Sequence, residues 1–283
     1  MMQTVEKYFV PDPSHFPIFG SIALLGMASG AVMWMNGISA GPLVLAGGFA
    51  VLIYMLFGWF GTVIRESQGG KYGKQVDLSF RWSMSWFIFS EVMFFAAFFG
   101  ALLYVRVFSV PDLSDLEHRA ILWPGFTGHW PSPGPGFSEE WSPMGAWGIP
   151  ALNTLLLLTS GATLTWAHHG LLAGKRSHLN IGLFLTILLG FIFLGFQIYE
   201  YSHAYSAMNL KLTTGIYGST FYLLTGFHGF HVTLGATMLV VIFFRSLAGH
   251  FKPENHFAFE AVAWYWHFVD VVWLFLFVVV YWL

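Results

Sequence analysis

No cysteine occurs anywhere in the 283 residues. Without thiols the chain forms no disulfide, and iron–sulfur clusters, thiolate copper centres and c-type haem attachment have nothing to bind. Charge is nearly as scarce. Asp, Glu, Lys and Arg make up 9% of the chain, against roughly a quarter in a soluble domain. The net charge of −2 identifies no partner, and no nucleic-acid partner is expected. There is no internal repeat, so a carrier built from inverted halves gains no support. The opening stretch, MMQTVEKYFVPDPSHFP, has neither a basic n-region nor a small-residue cleavage site. No signal peptide is expected there, and the first apolar span should be retained.

What fills the chain is hydrocarbon: 56% of residues are hydrophobic and 19% aromatic. The expected fold is all-α, a polytopic membrane protein rather than a globule with one anchor. Turn residues and charges mark off seven apolar runs, roughly Phe16–Asn36, Pro42–Ile64, Trp82–Val105, Trp147–Ala173, Ile181–His203, Tyr217–Phe244 and Phe257–Trp282. A tight Gly37–Gly41 turn makes a hairpin of the first two, residues 16–64, and residues 82–282 should form a five-helix bundle. The connection at residues 106–146, with its core WPGFTGHWPSPGPGFSEEWSP, holds too many prolines for a helix and reads as an ordered cap.

On this topology Lys7, Arg65, Lys71, Lys74, Arg81, Lys175, Arg176, Arg245 and Lys252 share one side, and Arg106, Arg119 and Lys211 the other. The bias predicts a cytoplasmic N-terminus and a C-terminus, with the long loop, on the opposite side.

Chemistry-bearing groups sit inside the spans. In the last one, Glu260 and His267 fall within ~20° of each other around a helix, with Asp270 ~60° further round. Lipid cannot solvate that stripe, so it should face protein or water held by protein. Glu91, ten residues beyond Arg81 in WFIFSEVMFFAAFF, lies ~15 Å deep. A carboxylate there is protonated, paired or watered: either a proton-handling or lipid-gating acid, or a clasp to a neighbouring helix. His228 and His231 in GFHGFH are one turn apart and could share a metal, but Gly226 and Gly229 point to close packing and structural histidines. His168 and His169 are expected at an interface, and Glu200 with His203 as a hydrogen-bonded pair. Arg65, Glu66 and Arg245 end spans on the same side, with Trp59 just above Arg65. Basic groups so placed suit an anionic lipid phosphate, or ordinary anchoring.

The motifs FSEVMFF, LTWAHHGLL, GIYGSTFYLLTGFHGFHVTLGATML and FAFEAVAWYWHFVDVVWLFLFVVVYW resemble subunit III of cytochrome c oxidase, in the haem–copper oxidase superfamily. The likeness runs from about Phe9 to the C-terminus. It implies seven helices, a V-shaped cleft between the first two and the other five, and phospholipid in that cleft. It implies no haem, copper or other metal in this chain and no catalytic residue; haem and copper belong to partner subunits I and II. Subunit III would pack on subunit I, stabilise it and support proton uptake, within a complex taking electrons from a cytochrome c-type donor. By the same resemblance Glu91 is the buried glutamate facing the cleft, and Trp59, Arg65, Glu66 and Arg245 are lipid contacts. Where mitochondrial members carry a headgroup-binding histidine, this chain aligns Tyr72 in a loop one residue shorter. The long loop resembles a proteobacterial form, so the expected location is a bacterial inner membrane with a periplasmic C-terminus.

Two other classes compete with this reading. A di-iron membrane enzyme needs several histidine boxes at one membrane face, whereas these histidines are expected at scattered depths. An ion-coupled carrier using Glu91, Glu200, Glu260 and Asp270 would call for broken, paired spans, which the sequence does not contain.

Overall fold

A computed structural model describes residues 8–283, apart from the side chains of Leu116 and Arg119. Lys7 and the Arg119 side chain, both counted in the charge argument, lie outside the described residues. The helices are α1 (Phe16–Met35), α2 (Gly41–Gln68), α3 (Lys74–Tyr104), α4 (Val110–Leu113), α5 (Leu116–Ile121), α6 (Ile149–Leu172), α7 (Arg176–Ala207), α8 (Gly215–Leu247) and α9 (Phe257–Leu276). A π-helical turn, Val105–Ser109, carries α3 into α4, and a second, Phe277–Trp282, extends α9. The described residues form no strand.

Six of the helices are long and apolar enough to cross a membrane, counting α3 through Leu113 and α9 through Trp282. Helix α6, the fourth expected span, is also long enough at 24 residues, but Asn153, Thr154, Ser160, Thr163 and two histidines dilute its apolar character. The chain is thus an all-α, multi-pass membrane protein. Several helices outrun their apolar runs. The gap of residues 65–81 between the second and third apolar runs shrinks to a connection of residues 69–73, because α2 continues to Gln68 and α3 starts at Lys74. Hydropathy marks where hydrocarbon stops, while Lys, Glu, Gln and Arg are good helix formers that carry the backbone bonds onward.

The chain divides into two compact units, one ending at Phe80 and one running from Arg81 to Leu283. In the first, α1 and α2 pack as a hairpin about a turn in which Gly37 takes φ +76°. Their backbones nearly touch: a Cβ on Gly30 would lie 2.3 Å from the Leu45 nitrogen, and one on Gly48 2.6 Å from that of Met27. Small residues permit this approach where lipid offers no hydrophobic drive between helices.

In the second unit α6, α7, α8 and α9 pack in sequence, and α9 returns to α6. Trp266 of α9, fully buried, holds this ring together. Its indole N–H donates to Ser160 Oγ of α6 at 2.9 Å, while its ring edge fills the space left by Gly190 of α7 and Gly235 of α8. Two turns later Trp273 donates to Thr154 Oγ1 at 2.9 Å and packs edge-on against Phe193. The part of α3 in this unit meets α8 and α9 through aromatic contacts such as Phe94–Phe227 and Phe95–Phe268. The proline-rich connection docks on the turn between α7 and α8. Ser142 N–H donates to the Met208 carbonyl and Ile216 N–H to that of Pro133, and Trp130 and Trp141 lie against Tyr217.

Candidate functional site

The intramembrane acids and imidazoles resolve into separate pairs. Glu91 of α3 meets His231 of α8, Oε2 to Nε2, at 2.8 Å. The other ring nitrogen of His231, Nδ1, lies 2.6 Å from the carbonyl oxygen of Phe227. A carbonyl only accepts, so Nδ1 carries hydrogen. The contact on Nε2 then requires one further proton, held by the imidazole or by the carboxyl. Either placement leaves the pair neutral overall, which suits its burial between Phe94, Phe95 and Tyr265. Sequence reasoning singles out both residues but does not join them, because 140 positions and the helices α4 to α7 intervene.

His228, one turn from His231, faces elsewhere. Its Nε2 lies 3.2 Å from the Val269 carbonyl of α9, with Phe193 and Trp273 around the ring. The two histidines therefore do not converge on one point.

The stripe on α9 is divided in the same way. His267 Nδ1 lies 3.5 Å from Asp270 Oδ2, and Thr165 of α6 approaches its Nε2 at 3.5 Å. Asp270 is buried so close to α6 that a Cβ on Gly161 would lie 2.5 Å from its Oδ2. Glu260, at the start of the helix, has different partners: Arg81 Nη1 on Oε2, and His256 and His168 on Oε1 at 3.1 and 3.8 Å. The expected pairing of Glu200 with His203 does not form. Glu200 is buried and accepts from the Tyr281 hydroxyl at 2.8 Å, while His203, about one turn along α7, is exposed. A spacing of three residues brings two side chains near each other on a helix surface, but it does not outweigh a buried phenol aimed at the acid from α9's extension.

In the first unit Arg65 is exposed and donates from Nη2 to Thr62 Oγ1 at 2.9 Å. Trp59, 48% exposed, stacks on Phe60. Glu66 is held by Tyr72, whose hydroxyl donates to Oε2 at 2.8 Å. Burial, with the carboxylate beside it, pushes the Tyr72 phenol well above its usual pKa, since both oppose a phenolate. The Phe9 and Phe80 rings pack on Tyr72, and the Lys71 ammonium lies over Phe9. In the second unit Arg245, in the last turn of α8, lays its guanidinium on Phe251, 4.8 Å from the ring centroid. Its Nε has no hydrogen-bond partner among the described residues.

Comparison with known proteins places these features in a family. The family model described as cytochrome c oxidase subunit III matches residues 6–283. Proteins named cytochrome c oxidase subunit 3 from Marchantia polymorpha and Triticum aestivum are each 43% identical over 278 residues, covering 98% of this chain and 96% of theirs. One of the same name from Syncerus caffer is 41% identical over 283 residues, covering 100% of this chain and 99% of its own length. None of the three is bacterial, so the bacterial origin expected from the long loop gains no support from them. A whole-length family match, near-complete alignments above 40% identity and an all-helical membrane fold agree: the chain belongs to the cytochrome c oxidase subunit III family.

Proposed function

We propose that this chain is the non-redox scaffold of a proton-pumping oxidase: it packs on subunit I, holds phospholipid and keeps the proton-uptake side of its partner in working order. Subunit II and a cytochrome c-type donor complete the assembly, and haem and copper reside in the partners. The N-terminus faces the cytoplasmic or equivalent compartment and the C-terminus the opposite side.

The observation that carries this reading is how the polar groups are allotted. Deep in the bundle, acids and imidazoles are matched to protein: Glu91 to His231, Glu200 to Tyr281, Asp270 to His267. Near the helix ends, basic groups keep donors in reserve. Arg65 is exposed beside an exposed Trp59, and Arg245 is half-buried, its shielded Nε–H without a partner among the described residues. Phosphate oxygens are natural acceptors for such guanidinium donors. Trp59, Arg65 and Glu66 in the first unit, and Glu91 and Arg245 in the second, are the proposed lipid contacts. Tyr72 acts indirectly, fixing Glu66 rather than replacing a headgroup-binding imidazole.

The test is native mass spectrometry of the oxidase purified with Arg65→Leu or Arg245→Leu in this chain. Fewer bound anionic phospholipids per complex, with haem spectra unchanged, are expected. Undiminished lipid in both variants would refute the lipid contacts, and loss of haem would refute a non-redox role.

A further inference from the structure

The group around Glu260 goes beyond the lipid-holding scaffold and does not depend on it. His168 stands near the end of α6, His256 is the residue preceding α9, and Glu260 lies in the first turn of α9. One donor atom from each falls within 4.8 Å of those of the other two, and Nε2 of His256 and of His168 lie 3.1 and 3.8 Å from Glu260 Oε1. We propose that these three residues form a site for a divalent transition cation of the zinc class, clamping α6 to the start of α9.

The argument rests first on the protons. His256 Nδ1 lies 3.2 Å from the carbonyl oxygen of Lys252. That oxygen only accepts, so Nδ1 carries the hydrogen and Nε2 of the neutral ring presents a lone pair. That nitrogen lies 3.1 Å from Glu260 Oε1, off the line of a hydrogen bond. Two acceptors at that distance repel unless something positive lies between them. His168 adds a third donor atom 3.8 Å from the same oxygen. Nε2 of both histidines is shielded from solvent and has no hydrogen-bond partner among the described residues. A zinc ion with ligand bonds of ~2.0–2.2 Å in a tetrahedral arrangement holds its donors ~3.3–3.5 Å apart, between the two separations observed.

The surroundings fit as well. A metal-bound imidazole commonly donates its second N–H to a backbone carbonyl, as His256 does to Lys252, and a metal-bound carboxylate is itself hydrogen-bonded. Arg81 occupies Oε2 and leaves Oε1 to the histidines. The guanidinium repels a dication, but it also fixes the carboxylate in the orientation that presents Oε1. Two imidazoles and one carboxylate suit zinc, with the fourth position reached past His168, whose side chain is 30% exposed. This ion is redox-silent, so the non-redox reading of the chain stands or falls separately. The runner-up is a protonated His256 in an ordinary ion pair with Glu260.

The experiment titrates Zn²⁺ into the full-length chain, purified without a polyhistidine tag, against a chelating dye. With twelve histidines in the chain, the exposed-face variant His203→Gln controls for the loss of any one imidazole. One tight site per chain is expected, weakened roughly tenfold or more by His168→Gln and by His256→Gln, separately, and unchanged in the control. Zinc-edge X-ray absorption of the loaded wild type should show two imidazoles and a carboxylate oxygen. Should either variant fold poorly by circular dichroism, the absorption spectrum still decides. Wild-type affinity in both histidine variants, a spectrum without imidazole scattering, or no site tighter than background would overturn the proposal, the last outcome favouring the imidazolium pair.

Discussion

Replacing Glu91 in two ways separates what its contact with His231 does for the fold from what its proton does. In Glu91→Leu the His231 Nε2 lone pair loses its carboxyl partner in a residue that is 6% exposed. Leaving a buried acceptor unsatisfied costs about 1–3 kcal/mol. In Glu91→Gln the amide N–H donates to that same lone pair, because Nδ1 keeps its hydrogen on the Phe227 carbonyl. A neutral hydrogen bond of about 1 kcal/mol replaces the original, and little stability is lost. The two variants should therefore differ by about 1–2 kcal/mol, a factor of roughly 5–30 in the unfolding equilibrium. Unfolding of the purified chain in mixed micelles, titrated with denaturing detergent, measures that gap. Equal destabilisation by Gln and Leu would refute the proton assignment on His231. The oxidase carrying each variant adds the functional half. If the carboxyl proton itself is used, Gln should shorten turnover lifetime as much as Leu does, despite its stability, with haem spectra unchanged in both.

Three further outcomes follow from the packing. Gly235→Ala would place a methyl 2.8 Å from the Trp266 ring, which Gly190 bounds on its other side, and should cost about 1–3 kcal/mol. Gly229→Ala, with nothing within 4 Å, should cost nothing in the same assay; equal effects would mean Trp266 is not wedged. Tyr281→Phe removes the hydroxyl that satisfies Glu200 and should destabilise by about 1–3 kcal/mol, partly recovered when Glu200→Leu is added, whereas additive losses would deny the pair. Tyr72→Phe should lose a modest stabilisation below pH 10. The folded phenol titrates above its unfolded value, so the folded chain keeps the proton that the unfolded chain releases, and the wild-type advantage should shrink as pH rises past 10. An advantage that grows there would contradict the Tyr72–Glu66 hydrogen bond.

The helices were legible because a hydrocarbon layer imposes one rule on every span, and Phe, Leu, Val and Trp announce it residue by residue. Their ends were not, since Lys74 and Gln68 are as helical as their neighbours and only less oily. The polar residues were legible as anomalies: a carboxylate at position 91 or 260 in such company needs an explanation whatever it touches. Their partners were hidden for a topological reason. Hydropathy and helical periodicity report which face of one helix is polar, not which helix stands opposite. Local spacing therefore suggests Glu200 with His203, where the bundle joins Glu200 to Tyr281, and gives no sign that Glu91 meets His231. His168 reads as an interface residue for the same reason, because its companions His256 and Glu260 lie 88 and 92 positions away, just before and within another helix. The small residues carried more information than their polarity suggested. Ser160, Gly190 and Gly235 look unremarkable on three separate helices, yet together they define the slot that Trp266 fills. In a membrane, where burying a ring against protein gains little over burying it in lipid, a tryptophan with a hydrogen-bond acceptor and two missing side chains around it has one place to go, and that gives the bundle its register.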